Sequence, residues 1–271
     1  MTAQGARAFA SAAFAQQWQA GEAIAPNAWG PLATAHDGQL EPYVEASGSP
    51  PCPPNRPGPC SQAEAQGRRL VQYFDKARME QSRSGGPVTN GLLAMELISG
   101  RMQRGDTTFD QRTPAAIAVA GDPDNPGPTY AQIRANTASL LDPAGAAIGD
   151  PTTRALSAEG TLRTLPAGGS DAQAAIAAYD GNTQHNLPAA FAAYRNRVGL
   201  ATIGLAISEP FWSNVRVAGI ARDVLVQAFE RRVLTYTPAN PAPFQVEMGN
   251  IGQHYYRWRY PGSGALAVAT S

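Results

Sequence analysis

The sequence predicts a β-rich α+β fold made of two related small units, each a helix plus antiparallel hairpin strands, with a loop-rich connector. Three observations lead there. The phrase "VQYFDKARME" (Val71 to Glu80) returns as "VQAFERRVLT" from Val226 to Thr235, 155 positions on. In "VLVQAFERRVLTY" Val224, Val226 and Ala228 fall on one face of a strand and Leu225, Gln227 and Phe229 on the other. Pro- and Gly-rich stretches such as "TPANPAP" and "SRSGG" interrupt such runs, as hairpin connections do.

Taken in chain order, the echo extends beyond that phrase. Aromatic helical stretches come first, "FAQQWQAG" (Phe14 to Gly21) and "FAAYRNRVG" (Phe191 to Gly199). Then follow "EPY" at Glu41 and "SEPFW" at Ser208, the twin phrase as a strand, and "GLLAMELISG" (Gly91 to Gly100) or "FQVEMGNIG" (Phe244 to Gly252) as a second strand carrying Glu. Self-similarity in a fixed order marks a duplicated supersecondary unit. The first copy spans 1–104 with an inserted Cys-Pro loop at 50–62, and the second spans 178–260. Residues 105–177 read as the connector, with a helix in "TYAQIRANTASLL" and a small hairpin turning at Glu159-Gly160, and 261–271 as a tail.

Composition narrows the function classes. Among 271 residues, 21 Lys+Arg balance 21 Asp+Glu, so the formal net charge is zero. That argues against a nucleic-acid binder, which needs basic surface to displace phosphate counterions, and against attachment to anionic lipid. No apolar run approaches the roughly 20 residues that span a bilayer. The start, "MTAQGARAFASAAFAQQW", reads as a folded amphipathic helix rather than a signal peptide, leaving open whether a longer natural N-terminus precedes Met1. Cys52 and Cys60, the only two cysteines, flank "PPNRPGP", and we expect a structural disulfide and with it an extracytosolic setting. Two thiolates do not make a zinc site, so no metal or other cofactor is expected.

On the residues from "SEPFW" through "VLVQAFERRVLTYTPANPAPFQVEMGNIGQHYY", on "AYDGNTQHNLPAAFAAYRNRVG" and on "VQYFDKARME", the chain resembles uncharacterised secreted and surface repeat proteins of Chloroflexota-type bacteria. It is more distantly similar to LGFP-type cell-wall repeats. The resemblance implies an extracellular or cell-surface location and carries no activity with it.

Candidate chemistry is sparse. His36, His185 and His254 share no metal-ligand spacing, and His185 before "NLP" reads as a helix cap. Asp122, Asp124 and Asn125 suit an Asx turn better than a calcium loop. Asp75, Glu80, Glu96, Glu230 and Glu247 are the carboxylates from which a glycan hydrolase pair could be drawn, with Glu96 and Glu247 at equivalent places in the repeats. The strongest binding candidate is "HYYRWRY". As a strand it sets Tyr256, Trp258 and Tyr260 on one face and Tyr255, Arg257 and Arg259 on the other, aromatic rings for sugar faces and guanidinium groups for hydroxyls. The leading expectation is a non-catalytic surface protein that binds glycan or a cell-wall polymer. The alternatives are a self-assembling filament or coat subunit, with Ala265 to Thr270 docking as an extended segment, and a carboxylate-dependent hydrolase.

Overall fold

The computed structural model of the chain describes residues 7–46, 66–83, 85–122, 127–166 and 171–262. Cys52 and Cys60 with the 50–62 insertion, Asp124, Asn125, and the segment from Ala265 to Thr270 lie outside the described residues. The fold is β-rich α+β with antiparallel hairpins. It forms two compact units: unit 1 is Met1–Leu93, Arg101–Arg112 and Asn250–Ser271, and unit 2 is Ala94–Gly100 and Thr113–Gly249.

In unit 1, helix α1 (Ala12–Ile24) starts where the Ser11 hydroxyl accepts the Phe14 N–H, satisfying one of the four orphan donors of a helix start. Strands β1 (Gln39–Pro42), β2 (Arg68–Phe74), β3 (Ala77–Gln81) and β4 (Thr89–Asn90) follow as an antiparallel meander in that order. Every residue of β2 from Arg69 to Phe74 is buried, so both faces of the sheet are covered. Leu70, Gln72 and Phe74 share one face, where Phe9 and Trp29 approach the Phe74 ring at 6.4 and 6.5 Å. Arg69, Val71 and Tyr73 share the other, where helix α7 (Ile251–Arg259) packs on β2 and β3. Between these, β5 (Arg101–Gln103) and β6 (Phe109–Gln111) pair as a separate hairpin.

In unit 2 the same meander is the core of a larger sheet. Strands β11 (Phe211–Val217), β12 (Ile220–Ala228), β13 (Val233–Tyr236) and β14 (Val246–Met248) are joined on the β11 edge by β7 (Arg154–Leu156) and β8 (Leu162–Thr164), giving the order β14-β13-β12-β11-β7-β8. Residues 154–164, which the sequence assigns to the connector, thus build this sheet. Helix α2 (Leu93–Ser99) contributes its residues from Ala94. Helices α3 (Tyr130–Ala135), opened by a Thr129–Gln132 capping box, and α4 (Thr137–Leu140) precede the hairpin of β9 (Ile176–Asp180) and β10 (His185–Pro188). Helices α5 (Ala189–Val198) and α6 (Leu200–Ile203) lead into the meander.

The twin phrase holds two strands and the turn between them, not one strand. Asp75-Lys76 and Glu230-Arg231 stand at the turn, and the two turns are built alike. The Lys76 N–H donates to Trp29 O at 3.1 Å, and the Arg231 N–H to Ile203 O at 3.2 Å. The next residue in each case, Gly30 or Gly204, has φ +88°, and a Cβ there would lie 2.6 Å from the Asp75 Cβ or 2.7 Å from the Glu230 Cβ. Only glycine combines that backbone with that closeness. Buried Gln72 donates to Ala8 O and His36 O, and buried Gln227 to Asn186 O and Ser208 O. Each Gln amide thus ties two incoming chain segments to the sheet, which is why a polar side chain stands in the middle of an apolar phrase.

Three further expectations change. "GLLAMELISG" is not a strand but contains α2, and "HYYRWRY" is not a strand but most of α7. Apolar residues recur there at Leu93, Ala94 and Leu97 and at Ile251 and Tyr255, all fully buried and helix-spaced, and this pattern overrides the strand preference of the aromatics. Glu96 and Glu247 are not equivalent. By register Asn90 matches Met248, placing Glu96 in a helix and Glu247 on an exposed strand position. The Glu-Pro-aromatic echo is shifted by four residues, because Val71 pairs with Gln39 whereas Val226 pairs with Phe211.

Candidate functional site

Helix geometry redistributes the predicted binding residues of unit 1. On α7, Tyr255 and Arg259 are one turn apart and face the sheet, buried. Glu41 on β1 is buried beside them: its Oε1 accepts the Tyr73 and Tyr260 hydroxyls at 2.5 and 2.7 Å, and its Oε2 lies 3.1 Å from the Arg259 guanidinium. Burial alone would raise this carboxyl, but Arg259, Arg78 and Arg69 with the Tyr73 hydroxyl overcome it and bring the pKa down to about 2. Next to it, Glu80 is held by Arg69 at 2.7 Å and Arg78 at 2.6 Å, and the Arg78 guanidinium lies 4.6 Å from the Tyr255 ring centre. Tyr256 stacks on His36 with ring centres 3.5 Å apart. Trp258 lies under Arg112, which also donates to the carbonyls of Trp258 and Arg259 at the helix end. Of the five predicted residues, then, Arg259 and Tyr260 serve Glu41, Tyr256 covers His36, Trp258 is half-buried, and Arg257 alone is exposed. This arrangement fastens a helix rather than offering an aromatic platform.

The histidines and carboxylates likewise have structural roles. His185 does not cap α5, whose first turn follows Pro188 without a side-chain cap; it is buried, with Nδ1 3.4 Å from Glu209 Oε1. Burial withdraws His254 from water and, with Arg257 nearby, lowers its pKa to about 3. Asp75 accepts from the Gln253 side chain, Glu230 from the Leu205 N–H, and Asp122 from the Ala218 and Gly219 N–H groups at the β11–β12 turn. Among the described residues, no three His, Cys, Asp or Glu side chains are placed to hold a metal ion.

Unit 2 contains an open cavity of about 910 Å³. Its floor is one face of the sheet. Burial of Phe211, Ser213 and Val215 on β11 turns Trp212 and Asn214 outward, and the register places Arg163, Ala155 and Trp212 in one row across β8, β7 and β11. The Trp212 indole N–H donates to Thr152 O at 3.0 Å, which fixes the ring plane, and the small Ala155 leaves space beside it. Asn214 donates to Asp223 Oδ1 at 2.7 Å across β11–β12. Asp171, Pro238, Ser157, Ala158 and Glu159 also line the cavity. The Tyr236 hydroxyl holds Asp171 at 2.8 Å, and burial followed by that carboxylate raises the phenol's pKa to about 12. None of Asp75, Glu80, Glu96, Glu230 and Glu247 lines the cavity. The sequence carries no alternation that marks Trp212, since "FWSNV" buries a Ser and turns a Trp outward; Arg163 and Asp223 join it through strand pairing across 60 residues, and Asp171 through its bond to Tyr236. No helix is long and apolar enough to cross a membrane among the described residues. Compared with family models, curated proteins and solved structures, the chain matches none.

Proposed function

We propose that the chain is a non-catalytic binding protein for glycan or a cell-wall polymer, acting outside the cytoplasm, and that its binding surface is the Trp212 cleft of unit 2 and not residues 256–260. The observation that carries this reading is an indole ring fixed by its own N–H bond on the floor of an open cavity, flanked by Asn214, Asp223, Arg163 and Asp171. A fixed aromatic face stacks on the apolar C–H face of a sugar at little entropic cost, and amide, carboxylate and guanidinium groups around it match ring hydroxyls. The extracytoplasmic setting is supported by the Cys52/Cys60 pair and by the resemblance to surface repeat proteins.

Titration of the protein with soluble polysaccharides and wall fragments tests this by calorimetry. Trp212→Ala is expected to weaken binding at least about 30-fold, the effect of losing a central anchor of roughly 2 kcal/mol. Trp258→Ala should leave affinity unchanged. Absence of binding to every such preparation sinks the proposal, and loss of binding in the Trp258 variant alone returns the site to α7.

A further inference from the structure

The cleft is lined by four charged side chains, Glu159, Arg163, Asp171 and Asp223: three carboxylates against one guanidinium. The chain as a whole is neutral, so this excess is local. The hydrogen bonds to these acids come from neutral donors. Asp171 accepts the Tyr236 hydroxyl and the Gln173 N–H, and Asp223 accepts the Asn214 amide. Neutral donors orient a carboxylate and leave its charge uncompensated. Arg163 offsets one of the three carboxylates, which leaves the cleft a net negative charge to which Asp171 and Asp223 contribute. Asp223 stands on β12 opposite Asn214, and Asp171 is held by Tyr236 of β13, so the two acids are anchored on different strands. Separated negative charges along an aromatic floor fit a ligand that repeats positive charges at intervals between apolar sugar faces.

We propose that the cleft selects a polysaccharide with free amino groups, a glucosamine-type polymer, over its N-acetylated and its acidic counterparts. The proposal rests on the glycan-binding reading above and names the substrate class of the same site. Charge complementarity draws the ammonium groups in and excludes polyuronates, which would set like charge against Asp171 and Asp223.

The test uses the full chain with three probes: a fully deacetylated glucosamine hexasaccharide, its fully N-acetylated form and a hexauronate, each titrated calorimetrically at low salt and at about 0.5 M salt. The deacetylated probe is expected to bind about 10-fold tighter than the acetylated one, as two partly exposed ion pairs allow. High salt should erase most of that preference, because screening over less than about 8 Å separates exposed charges. Asp171→Asn with Asp223→Asn should reduce the preference for the deacetylated over the acetylated probe to within about 2-fold. Should the half-buried Asp171 position not tolerate change, Asp223→Asn alone, at an exposed strand position, is expected to reduce it about 3-fold. Equal or tighter binding of the acetylated or uronate probe, or a preference that survives these variants, overturns the charge proposal. If instead Trp212→Ala leaves every probe's affinity unchanged, it is the cleft assignment that fails.

Discussion

The two meanders share a backbone and differ in what one face of it carries. In unit 1 that face bears Glu41, Arg69, Tyr73, Arg78 and Glu80; at the paired positions of unit 2 stand Ser213, Val224, Ala228, Val233 and Thr235. The elements kept in both are Gln72 and Gln227, Phe74 and Phe229, Asp75 and Glu230, and Gly30 and Gly204. The meander is therefore specified by the bridging Gln, the buried Phe and the acid packed over a glycine, and the charges are not needed to build it. The helices vary in step with the sheets. The helix that follows β4 in the chain belongs to unit 2 and presents Ala94, Leu97 and Ile98, while the helix that follows β14 belongs to unit 1 and presents Tyr255 and Arg259. The charged sheet of unit 1 takes a helix with an arginine and phenols, whereas the helix residues that fall to unit 2 are aliphatic. Matching of this kind separates the two pairings, because a buried charge facing an aliphatic helix is strongly penalised.

The largest test of this comparison is steric. Gly252 in α7 donates its N–H to Asp75 O, and a Cβ there would lie 2.0 Å from Phe74 O. Its counterpart in α2 is Ala94, fully buried. Gly252→Ala is expected to cost unit 1 more than about 4 kcal/mol, because backbone cannot yield as a side chain can. Hydrogen exchange should show the loss in β1–β4 and not in β11–β14. Equal loss in both sheets would mean that the units do not unfold independently.

Next in size is the charge cluster. Glu41→Gln leaves Arg259, Arg78 and Arg69 in excess and should cost roughly 3–5 kcal/mol, whereas Ser213→Ala in unit 2 should cost less than about 1 kcal/mol. The acid dependence has a definite sign. Because the folded pKa of Glu41 is depressed from 4.5 to about 2, its contribution is fully present above pH 4.5 and is lost as pH falls toward 2. That shift corresponds to a loss on the order of 3 kcal/mol, absent from the Glu41→Gln protein. A melting profile in which wild type and variant lose stability in parallel across this window would refute the assignment.

The smallest effect is a matched pair. Gln72→Leu and Gln227→Leu each strand two backbone carbonyls, and Gln72→Leu also the Ala10 N–H, so each should cost about 1–3 kcal/mol with the unit 1 variant at the upper end. A large cost in one sheet alone would show that the Gln positions are equivalent in sequence and not in function.

The sequence shows the duplication because its shared residues perform local, repeated tasks. Val-Gln-x-Phe-acid is legible as a unit since each residue acts within its own strand or turn. What it hides are the parts set by register and by helix exchange. Nothing in "GLLAMELISG" marks it as helical except the spacing of Leu93, Ala94 and Leu97, and in "HYYRWRY" strand-favouring aromatics mask the same spacing. The binding candidate followed that error, because alternation places Tyr256, Trp258 and Tyr260 together only on a strand. Trp212 sits on a true strand, yet its partners Ala155 and Arg163 reach it by parallel pairing with β7, a long-range contact that no local pattern encodes.

The exchange of helices has a consequence for biosynthesis. Unit 2 is complete once Gly249 has been made, but unit 1 still lacks Asn250–Arg259, which close over a sheet whose last strand ends at Asn90. At about 5–20 residues per second, roughly 160 intervening residues take on the order of 10–30 s. Through that interval β1–β4 have no α7, and Tyr73, Arg78 and Glu80 face water on the ribosome. Order of folding thus runs against order of translation: the later-made unit can finish first, and the sheet synthesised early waits, wetted through its own charges, for its final helix.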